Sequence, residues 1–290
     1  MSRPRTVAAF FDLDGTLIPG PSLEQRFFRV LRYRREVGVR NYLLWAAEAV
    51  RLLPRGFSQI SQGNKMYLHG VQSFDKRDGG AGYESPWHKD GHRGWGQVAV
   101  PQRRNPRLPA PSFFAEAVNR VELHAKQGHT IVLMSGTLEP LAREAGRELE
   151  AELAQRGVAV EIGVCATQLE ETNGNWTGRV LGAAMFGQAK ARALRRIVTE
   201  LGLNLARCYA YGNSVNDAEM LSEVGRPMAV NPSAGLARVA RREQWPILNW
   251  GKEKDSTLGT LRTPKVQRLN QAKEVEQSLR ACSANSGNGK

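Results

Sequence analysis

Val-Ala-Ala-Phe-Phe-Asp-Leu-Asp-Gly-Thr-Leu, residues 7–17, is the stretch that decides the fold of this chain. Its apolar first half predicts a buried β-strand, which breaks at Gly15 directly after the two carboxylates Asp12 and Asp14. Two acids at the carboxyl end of a parallel strand lie where α/β sheets bind their ligands. They either take different roles or share a cation that offsets their repulsion. Taken alone, the motif is equally typical of a solvated turn, which also favours Asp and Gly.

The composition is that of a soluble protein, with 41% hydrophobic and 24% charged residues in a chain of 290. This length allows a substantial core in one large domain or two smaller ones. The sequence reaches an Asp too soon for a signal peptide, and no window has the long uncharged run of a membrane span. Cys165, Cys208 and Cys282 fit neither a disulfide framework nor a zinc pattern. We therefore expect a cytoplasmic protein with reduced thiols.

The formal net charge of +13 raises the question of an anionic partner. A basic chain attracts nucleic acid, anionic lipid or anionic small molecules. The sequence contains no zinc-finger spacing, no aromatic RNA-binding strand and no obvious recognition helix. Because the charge is spread over the N-terminal third, the middle and the tail, general solubility is the favoured interpretation, and no nucleic-acid partner is expected.

A long helical region is predicted over residues 23–53, after a break at the Pro-Gly-Pro of 19–21. Arginines alternate there with aromatic and aliphatic residues, and the apolar segment 42–53 is interrupted by Glu48 and Arg51. That segment is too short and too charged to span a bilayer. A basic amphipathic helix with Trp and Phe could instead lie on a membrane surface. A helical cap that packs its apolar face on neighbouring elements is the favoured alternative.

Residues 74–111 are rich in Gly, His and Trp and show neither helical nor strand periodicity. His88 and His92 are spaced as in a helical metal site, but the surrounding glycines disfavour a helix, so we interpret both as solvated loop residues. A long structureless loop inside a compact domain is unusual. Two hypotheses account for it. One is a functional flexible lid, with disorder; the other is a coding sequence read out of frame, since helical patterning exists on both sides.

Regular patterning returns at Phe113 and alternates helices with strands. The predicted elements are a helix over 115–127, a strand over 130–135, a helix over 138–156, two strands over 161–169 and 176–181 joined as a hairpin by Asn173-Gly174, a basic helix over 191–201, a strand over 207–211, a helix from 218, and strands over 227–230 and 245–248. This alternation predicts an open, mainly parallel sheet. From residue 251 the chain is polar and is predicted to be a basic C-terminal tail, with one helix near 265–279.

Polar side chains collect where the predicted strands end. They are Asp12 and Asp14, Ser135 and Gly136, Lys190, and Asn213, Asn216 and Asp217. Carboxylates with a cation, a hydroxyl beside backbone N–H donors, and one lysine are what phosphoryl transfer requires, because this chemistry depends on positioning and on neutralising the phosphoryl oxygens.

The chain resembles the haloacid dehalogenase superfamily, in its subclass IB, phosphoserine-phosphatase-like branch. The motifs in order are Asp-Leu-Asp-Gly-Thr at 12–16, Ser-Gly-Thr at 135–137, Gly-x-x-Lys at 187–190 and Gly-Asn-Ser-Val-Asn-Asp at 212–217. The resemblance covers residues 6–250 apart from the irregular segment. It implies a Rossmann-like three-layer α/β core with a parallel sheet, and a helical cap inserted between motifs one and two. The implied domains are a core over 1–20 and 112–250, a cap over 21–111 and a tail over 251–290.

The resemblance also implies a Mg²⁺-dependent phosphatase that hydrolyses a phosphomonoester through an aspartyl-phosphate. Asp12 would attack the phosphorus, and Asp14 would protonate the leaving oxygen and later activate water. Mg²⁺ would be held by the Asp12 carboxylate, the Asp14 backbone carbonyl and Asn213.

The remaining motif residues would serve the phosphate and the lysine. Ser135 and the Gly136 N–H would bind phosphoryl oxygens, and Lys190 would offset their negative charge. Asn216 and Asp217 would not contact the phosphate or the metal directly but would orient the residues that do, with Asp217 holding Lys190 or a metal-bound water.

Two departures from the family pattern bear on activity and substrate. Asn213 stands where the family usually has a metal-binding Asp, so one negative charge is lost and Mg²⁺ affinity should fall. Pro21 stands where serine phosphatases carry an acid for the substrate ammonium, and Glu24 is the nearest acid. A small phosphorylated substrate is expected, with a lipid head-group phosphate as one candidate and phosphoserine as a doubtful one. The alternative is a weakened or inactive member that binds a phosphorylated ligand or a membrane surface without turnover.

Overall fold

The computed structural model describes residues 6–56, 60, 62–73 and 112–251. The strands are β1 (Ala8–Phe11), β2 (Thr130–Leu138), β3 (Ile162–Thr167), β4 (Leu169–Thr172), β5 (Asn175–Val180), β6 (Tyr209–Gly212), β7 (Arg226–Val230) and β8 (Ile247–Leu248). Six of them form one sheet in the order β3-β2-β1-β6-β7-β8, and each neighbouring pair in it is parallel. β4 and β5 form a separate antiparallel hairpin.

β1 lies near the middle of this sheet, between β2 and β6. Phe11, its last residue, is in register with Leu133 on one side and Tyr211 on the other. The chain first adds strands on the β2 side and then crosses to the β6 side, so a topological switch point lies beside β1. The residues that follow β1, and those at the ends of β2 and β6, therefore meet at one edge of the sheet.

Both faces of the sheet are buried, which explains why β1 is apolar without alternation. Ala8 and Phe10 belong to the hydrophobic core on one face, and Ala9 and Phe11 belong to the core on the other face. All four side chains are completely buried. A short strand covered on both faces requires helices in two layers.

The described α-helices form those two layers and the cap. They are α1 (Leu23–Tyr33), α2 (Val39–Leu52), α3 (Ala115–Lys126), α4 (Glu139–Gln155), α5 (Gln188–Glu200), α6 (Ala218–Ser222) and α7 (Ala234–Arg242). Apolar residues of α3 and α4 pack on the face that contains Phe11, and those of α5, α6 and α7 pack on the face that contains Phe10. The predicted three-layer α/β core with a parallel sheet is confirmed.

The helical region predicted over 23–53 consists of two helices, separated by a break in the backbone. α1 ends at Tyr33, and Arg35 adopts a left-handed backbone with φ of 58°. Gly38 then begins α2 in an extended conformation. A left-handed residue cannot continue a right-handed helix, so the helix ends here. The apolar pattern of the sequence continues across this break and therefore does not show it.

The first arm of the predicted hairpin is also divided. Residues 161–169 contribute β3 to the edge of the main sheet, and only the following strand β4 pairs with β5. The turn itself is as predicted, with positive φ at Asn173 and Gly174. The Trp176 ring of the hairpin packs edge to face on the Phe27 ring of α1, with 6.0 Å between the ring centroids. The hairpin and α1 therefore share one apolar cluster.

The irregular segment 74–111 and the tail from 252 onward lie outside the described residues. The boundaries of the predicted cap and tail stay predictions for that reason. Among the described helices, none is long and apolar enough to cross a membrane.

Candidate active site

Asp12 is held by hydrogen bonds on every side at the end of β1. Its N–H donates to the Tyr211 carbonyl at 2.9 Å, which extends the sheet pairing by one residue. Its Oδ1 accepts from Lys190 Nζ at 2.6 Å, and its Oδ2 accepts from Thr16 Oγ1 at 2.9 Å. Burial raises the pKa of Asp12 to about 7, and the neighbouring Asp217 adds to this rise while Lys190 opposes it.

Lys190 bridges two carboxylates. Its ammonium lies 2.6 Å from Asp12 Oδ1 and 2.6 Å from Asp217 Oδ1. Lys190 is 2% exposed and Asp217 is 1% exposed, so all these charges are removed from water. Burial acts to lower the pKa of Lys190, but the two carboxylates outweigh it and raise that pKa above its usual range. The lysine is therefore a fixed positive charge beside Asp12.

Asp217 also organises the loop after β6. Its Oδ2 accepts hydrogen bonds from the Asn213 N–H at 3.2 Å and from the Ser214 N–H and Oγ, both at 2.9 Å. The carbonyl of Asn216 accepts from the Gly187 N–H at 2.9 Å, directly before α5. The loop thus holds both the carboxylate and the start of the helix that carries Lys190.

Asp14 faces the cavity two residues after Asp12. Its Oδ1 accepts from the Leu23 N–H at 2.8 Å, at the first turn of α1. Burial raises the pKa of Asp14 to about 6, and the hydrogen bond from Leu23 works against this rise. A carboxyl with a pKa near the working pH can both donate and accept a proton.

The Ser-Gly-Thr motif lies in the last part of β2, which continues three residues beyond the predicted strand. Ser135 and Thr137 are buried and line the cavity together with Gly136. A side chain on Gly136 has no room, because a Cβ there would lie 2.1 Å from Cζ of Phe186. Among the described residues, Thr137 Oγ1 is a buried oxygen without a hydrogen-bond partner. A ligand oxygen in the cavity is one partner it could take.

The oxygen donors around Asp12 suit Mg²⁺, which prefers carboxylates, carbonyls and water. Asp12 is buried and Asp14 is half-buried, and Asp14 itself contributes to raising the pKa of Asp12, so a divalent cation would relieve their repulsion. The Asn213 amide contacts Gly15, where a Cβ would lie 2.0 Å from Asn213 Nδ2. No group of three His, Cys, Asp or Glu side chains could hold a metal in the described part of the chain. The predicted Mg²⁺ site therefore depends on the Asp12 carboxylate, the Asp14 backbone carbonyl and the Asn213 amide.

A cavity of about 850 Å³ lies over these residues. The core contributes Asp12, Asp14, Ser135, Gly136, Thr137, Phe186, Lys190, Asn213, Ser214, Asn216 and Asp217 to its lining. The cap side contributes Ser22, Glu24, Gln25, Phe28, Tyr42, Trp45, Gln62, Lys65 and Tyr67. Every residue predicted for the site thus lines one cavity.

The cap side contains a buried ion pair that the sequence did not reveal. Lys65 Nζ lies 2.5 Å from Glu24 Oε1 and 2.7 Å from Oε2, and the Tyr67 hydroxyl also donates to Glu24. Lys65 is 3% exposed. Burial, with Glu24 adding to it, raises the pKa of Tyr67 well above its usual value, so its hydroxyl stays protonated and keeps donating.

Three further residues of the core were missed. Thr16 was recognised only as part of motif one and given no role, yet its hydroxyl donates a hydrogen bond to the Asp12 carboxylate. Phe186 precedes motif three directly, and its ring covers Gly136. Thr167 donates to the Gly136 carbonyl at 2.8 Å and accepts from the Met185 N–H at 3.0 Å, which ties motif two to the loop that carries Phe186. Thr16 and Phe186 could have been found because they lie in or next to a motif. No sequence signal pointed to Thr167.

The family model of haloacid dehalogenase-like hydrolases matches residues 9–222. The chain belongs to this family. It is 31% identical over 245 residues to the phosphoserine phosphatase SerB1 of Mycobacterium tuberculosis, an alignment that covers 83% of this chain and 70% of that protein. It is also 31% identical over 255 residues to the inhibition of morphological differentiation protein of Streptomyces azureus, with 86% and 80% covered.

A solved structure shows the same fold. It is a protein of unknown function from Bordetella pertussis, 24% identical, with a TM-score of 0.55 over 84% of this chain and 98% of that one. The family membership and the resemblance to phosphoserine phosphatases predicted from the four motifs are confirmed, and the chain is a hydrolase of the phosphatase type.

Proposed function

We propose that this phosphatase hydrolyses a phosphomonoester in two steps through an aspartyl-phosphate on Asp12, with Mg²⁺ as cofactor. The observation that carries the proposal is the position of Asp12. Its carboxylate is fixed between Lys190 and Thr16 at the end of β1, while Asp14 lies two residues further on with a pKa of about 6. A nucleophile beside a separate acid and base is what the two steps require.

In the first step a carboxylate oxygen of Asp12 attacks the phosphorus, and the bond from phosphorus to the leaving oxygen breaks. Asp14 gives its proton to that oxygen, so the product leaves as a neutral alcohol. Ser135 Oγ and the Gly136 N–H are the donors we assign to the phosphoryl oxygens, and the Lys190 ammonium offsets the charge that develops on them.

In the second step a water attacks the phosphorus of the aspartyl-phosphate. Asp14, now ionised, takes the proton of that water, and the bond between phosphorus and the Asp12 oxygen breaks to release inorganic phosphate. Mg²⁺ held by Asp12, the Asp14 carbonyl and Asn213 would supply positive charge for the phosphoryl oxygens.

The test is hydrolysis of p-nitrophenyl phosphate with and without Mg²⁺, beside the variant Asp12→Asn. We expect Mg²⁺-dependent turnover in the natural chain and a loss of at least about 10³-fold in the variant. Acid quenching during turnover should trap a phosphoryl group on the natural chain, detected by intact mass, and none on Asp12→Asn. Full turnover by the variant would contradict the role of Asp12.

The alternative function is binding of a phosphorylated ligand without turnover, and Asn213 favours it because the site has one acid fewer. A folded chain that binds phosphate with Mg²⁺ but shows no turnover would support this alternative. The cap over 21–111 and the tail over 251–290 are further proposals. A cytoplasmic location is also proposed, and its support is that Cys165 and Cys208 are free thiols.

Contact of the cap with a membrane surface is a separate proposal. Its support is the apolar exposed side of α2, where Val39 is 76% exposed and Leu43 and Val50 are each 67% exposed, next to the exposed Arg40 and Arg51. A basic helix with exposed apolar side chains can lie at an anionic lipid interface. Sedimentation with phosphatidylglycerol vesicles tests it, and equal sedimentation of natural chain and Leu43→Glu would contradict it.

A further inference from the structure

Aromatic rings make up much of the cavity wall above the carboxylates. Four come from the cap side, and one covers the phosphate end: Phe28, Tyr42, Trp45, Tyr67 and Phe186. The Phe28 ring packs edge to face on the rings of Tyr67 and Tyr42, with centroid distances of 5.0 Å and 6.5 Å. Trp45 and Tyr42 keep 38% and 42% of their surface accessible. Both side chains therefore keep accessible surface, and both line the cavity.

The charged residues of the cap side are already paired with each other. Both Glu24 oxygens contact the Lys65 ammonium at 2.5 and 2.7 Å, and Tyr67 donates to the same carboxylate. The pair is neutral as a whole. A substrate ammonium would have to displace Lys65 from Glu24, and a substrate carboxylate would have to displace Glu24 from Lys65. The wall consequently offers little to a zwitterionic leaving group such as serine.

The size of the cavity points the same way. Cavities of 300–1,000 Å³ accommodate drug-sized ligands, and this cavity of about 850 Å³ far exceeds what a phosphate with a two-carbon alcohol fills. A small leaving group would leave Phe28, Tyr42 and Trp45 facing water. A ring on the leaving group would fill that space and bury apolar surface on both sides.

We propose that the cavity selects phosphomonoesters whose leaving alcohol carries an uncharged aromatic ring, bound against Phe28, Tyr42 and Trp45. The inference rests on the proposed function and names the substrate class of the same site. The phosphate end of the cavity recognises the phosphoryl group, and the aromatic side determines which alcohol is accepted.

The first experiment compares 2-phenylethyl phosphate with ethyl phosphate. Both release primary alkanols, so the bond broken is chemically alike and the two esters differ mainly in the ring. We expect kcat/KM for the phenyl ester to exceed that for the ethyl ester by at least about tenfold, the effect of one well-buried aromatic contact. Equal values would overturn the proposal, as would a higher value for phosphoserine than for the phenyl ester.

Matched variants on one helix locate the effect. Trp45→Ala should reduce the ratio of the phenyl to the ethyl ester by about fivefold or more. The Trp45 backbone carbonyl accepts a hydrogen bond from Asn64 Nδ2 at 2.8 Å, and this bond is retained in the alanine variant because it does not involve the side chain of residue 45. Leu43→Ala should leave the ratio unchanged, because Leu43 is 67% exposed and does not line the cavity. A ratio that Trp45→Ala leaves intact would overturn the assignment.

A binding measurement separates this inference from the proposed function. Calorimetric titration with 2-phenylethylphosphonate and ethylphosphonate needs no turnover, and the phenyl compound should bind at least about tenfold more tightly. If no phosphomonoester is hydrolysed but this difference is found, the proposed function fails and the aromatic selectivity stands. If both phosphonates bind equally, the selectivity fails even where hydrolysis is observed.

Discussion

The cavity has two walls of opposite construction. The core wall contains Asp12, Asp14 and Asp217 around Lys190, so carboxyl groups outnumber ammonium groups there. The cap wall contains aromatic rings and one ion pair that is complete in itself, Glu24 with Lys65.

The difference explains what each wall still needs. An excess of buried carboxylates is unfavourable until a cation compensates it, and a phosphate dianion would add to the excess. A compensating positive charge at the core wall would relieve this excess, and in our proposal Mg²⁺ supplies it. The cap wall pairs its own charges and has partly accessible aromatic side chains, so its remaining capacity is for apolar surface.

The largest effect is expected from Lys190→Met. Removal of the ammonium leaves Asp12 and Asp217 buried and unpaired, which should lower the free energy of unfolding by about 3–5 kcal/mol. Activity should fall by at least about 10³-fold, since the phosphoryl charge loses its fixed partner. Urea denaturation and p-nitrophenyl phosphate hydrolysis are the measurements.

The matched control for this variant is Arg195→Met on the same helix. Arg195 pairs with Glu223 at 2.7 Å on the surface, so its loss should leave both the free energy of unfolding and the activity close to those of the natural chain. Similar losses of stability for the two variants would contradict a special role of the buried Lys190 ammonium between Asp12 and Asp217.

A smaller effect, about 10- to 100-fold in activity, is expected from Gly136→Ala. The new methyl would lie 2.1 Å from the Phe186 ring, so the ring must move away from the position where it closes the phosphate end of the cavity. Gly163→Ala is the control, because a Cβ there meets its nearest neighbour at 3.6 Å. Steady-state kinetics on both variants checks the prediction, and equal rates would refute it.

Lys65→Met alters the cap wall instead and should change selectivity by about tenfold. It leaves the Glu24 charge without its ammonium, so 2-aminoethyl phosphate should gain in kcat/KM relative to ethyl phosphate. The double variant with Glu24→Gln removes the charge and should abolish this gain. A ratio that does not differ among the three proteins would show that the ion pair does not face the leaving group.

The smallest effect is expected from Asn213→Asp. An added carboxylate beside Asp12 and Asp14 should tighten Mg²⁺ binding by a few-fold, because ligand charge increases affinity for hard cations. Calorimetric titration with Mg²⁺ measures this without turnover, and the Mg²⁺ dependence of hydrolysis measures it a second way. An unchanged affinity in both would exclude Asn213 from the metal site.

The motif residues of the core wall were predictable because each of them follows a local pattern. Asp12, Ser135 and Asn213 come directly after apolar runs, and parallel strands that end at one edge bring their following residues together. The break between α1 and α2 was not predictable in this way. Arg35 adopts the left-handed backbone of a helix C-terminal cap, in which the Glu36 N–H donates to the Leu31 carbonyl at 3.0 Å, and glycine, the usual sequence signal for such a cap, is not the residue there.

The sequence by itself determined the family, the parallel sheet and the order of the four motifs, because buried strands and their polar ends are recorded in local periodicity. Only the tertiary structure decided the cap wall. Glu24 and Lys65 are 41 residues apart in the chain and meet only because α2 and the segment after it fold back over α1. A buried ion pair between distant residues leaves no periodic pattern in sequence, since its energy depends on burial and distance and not on spacing along the chain.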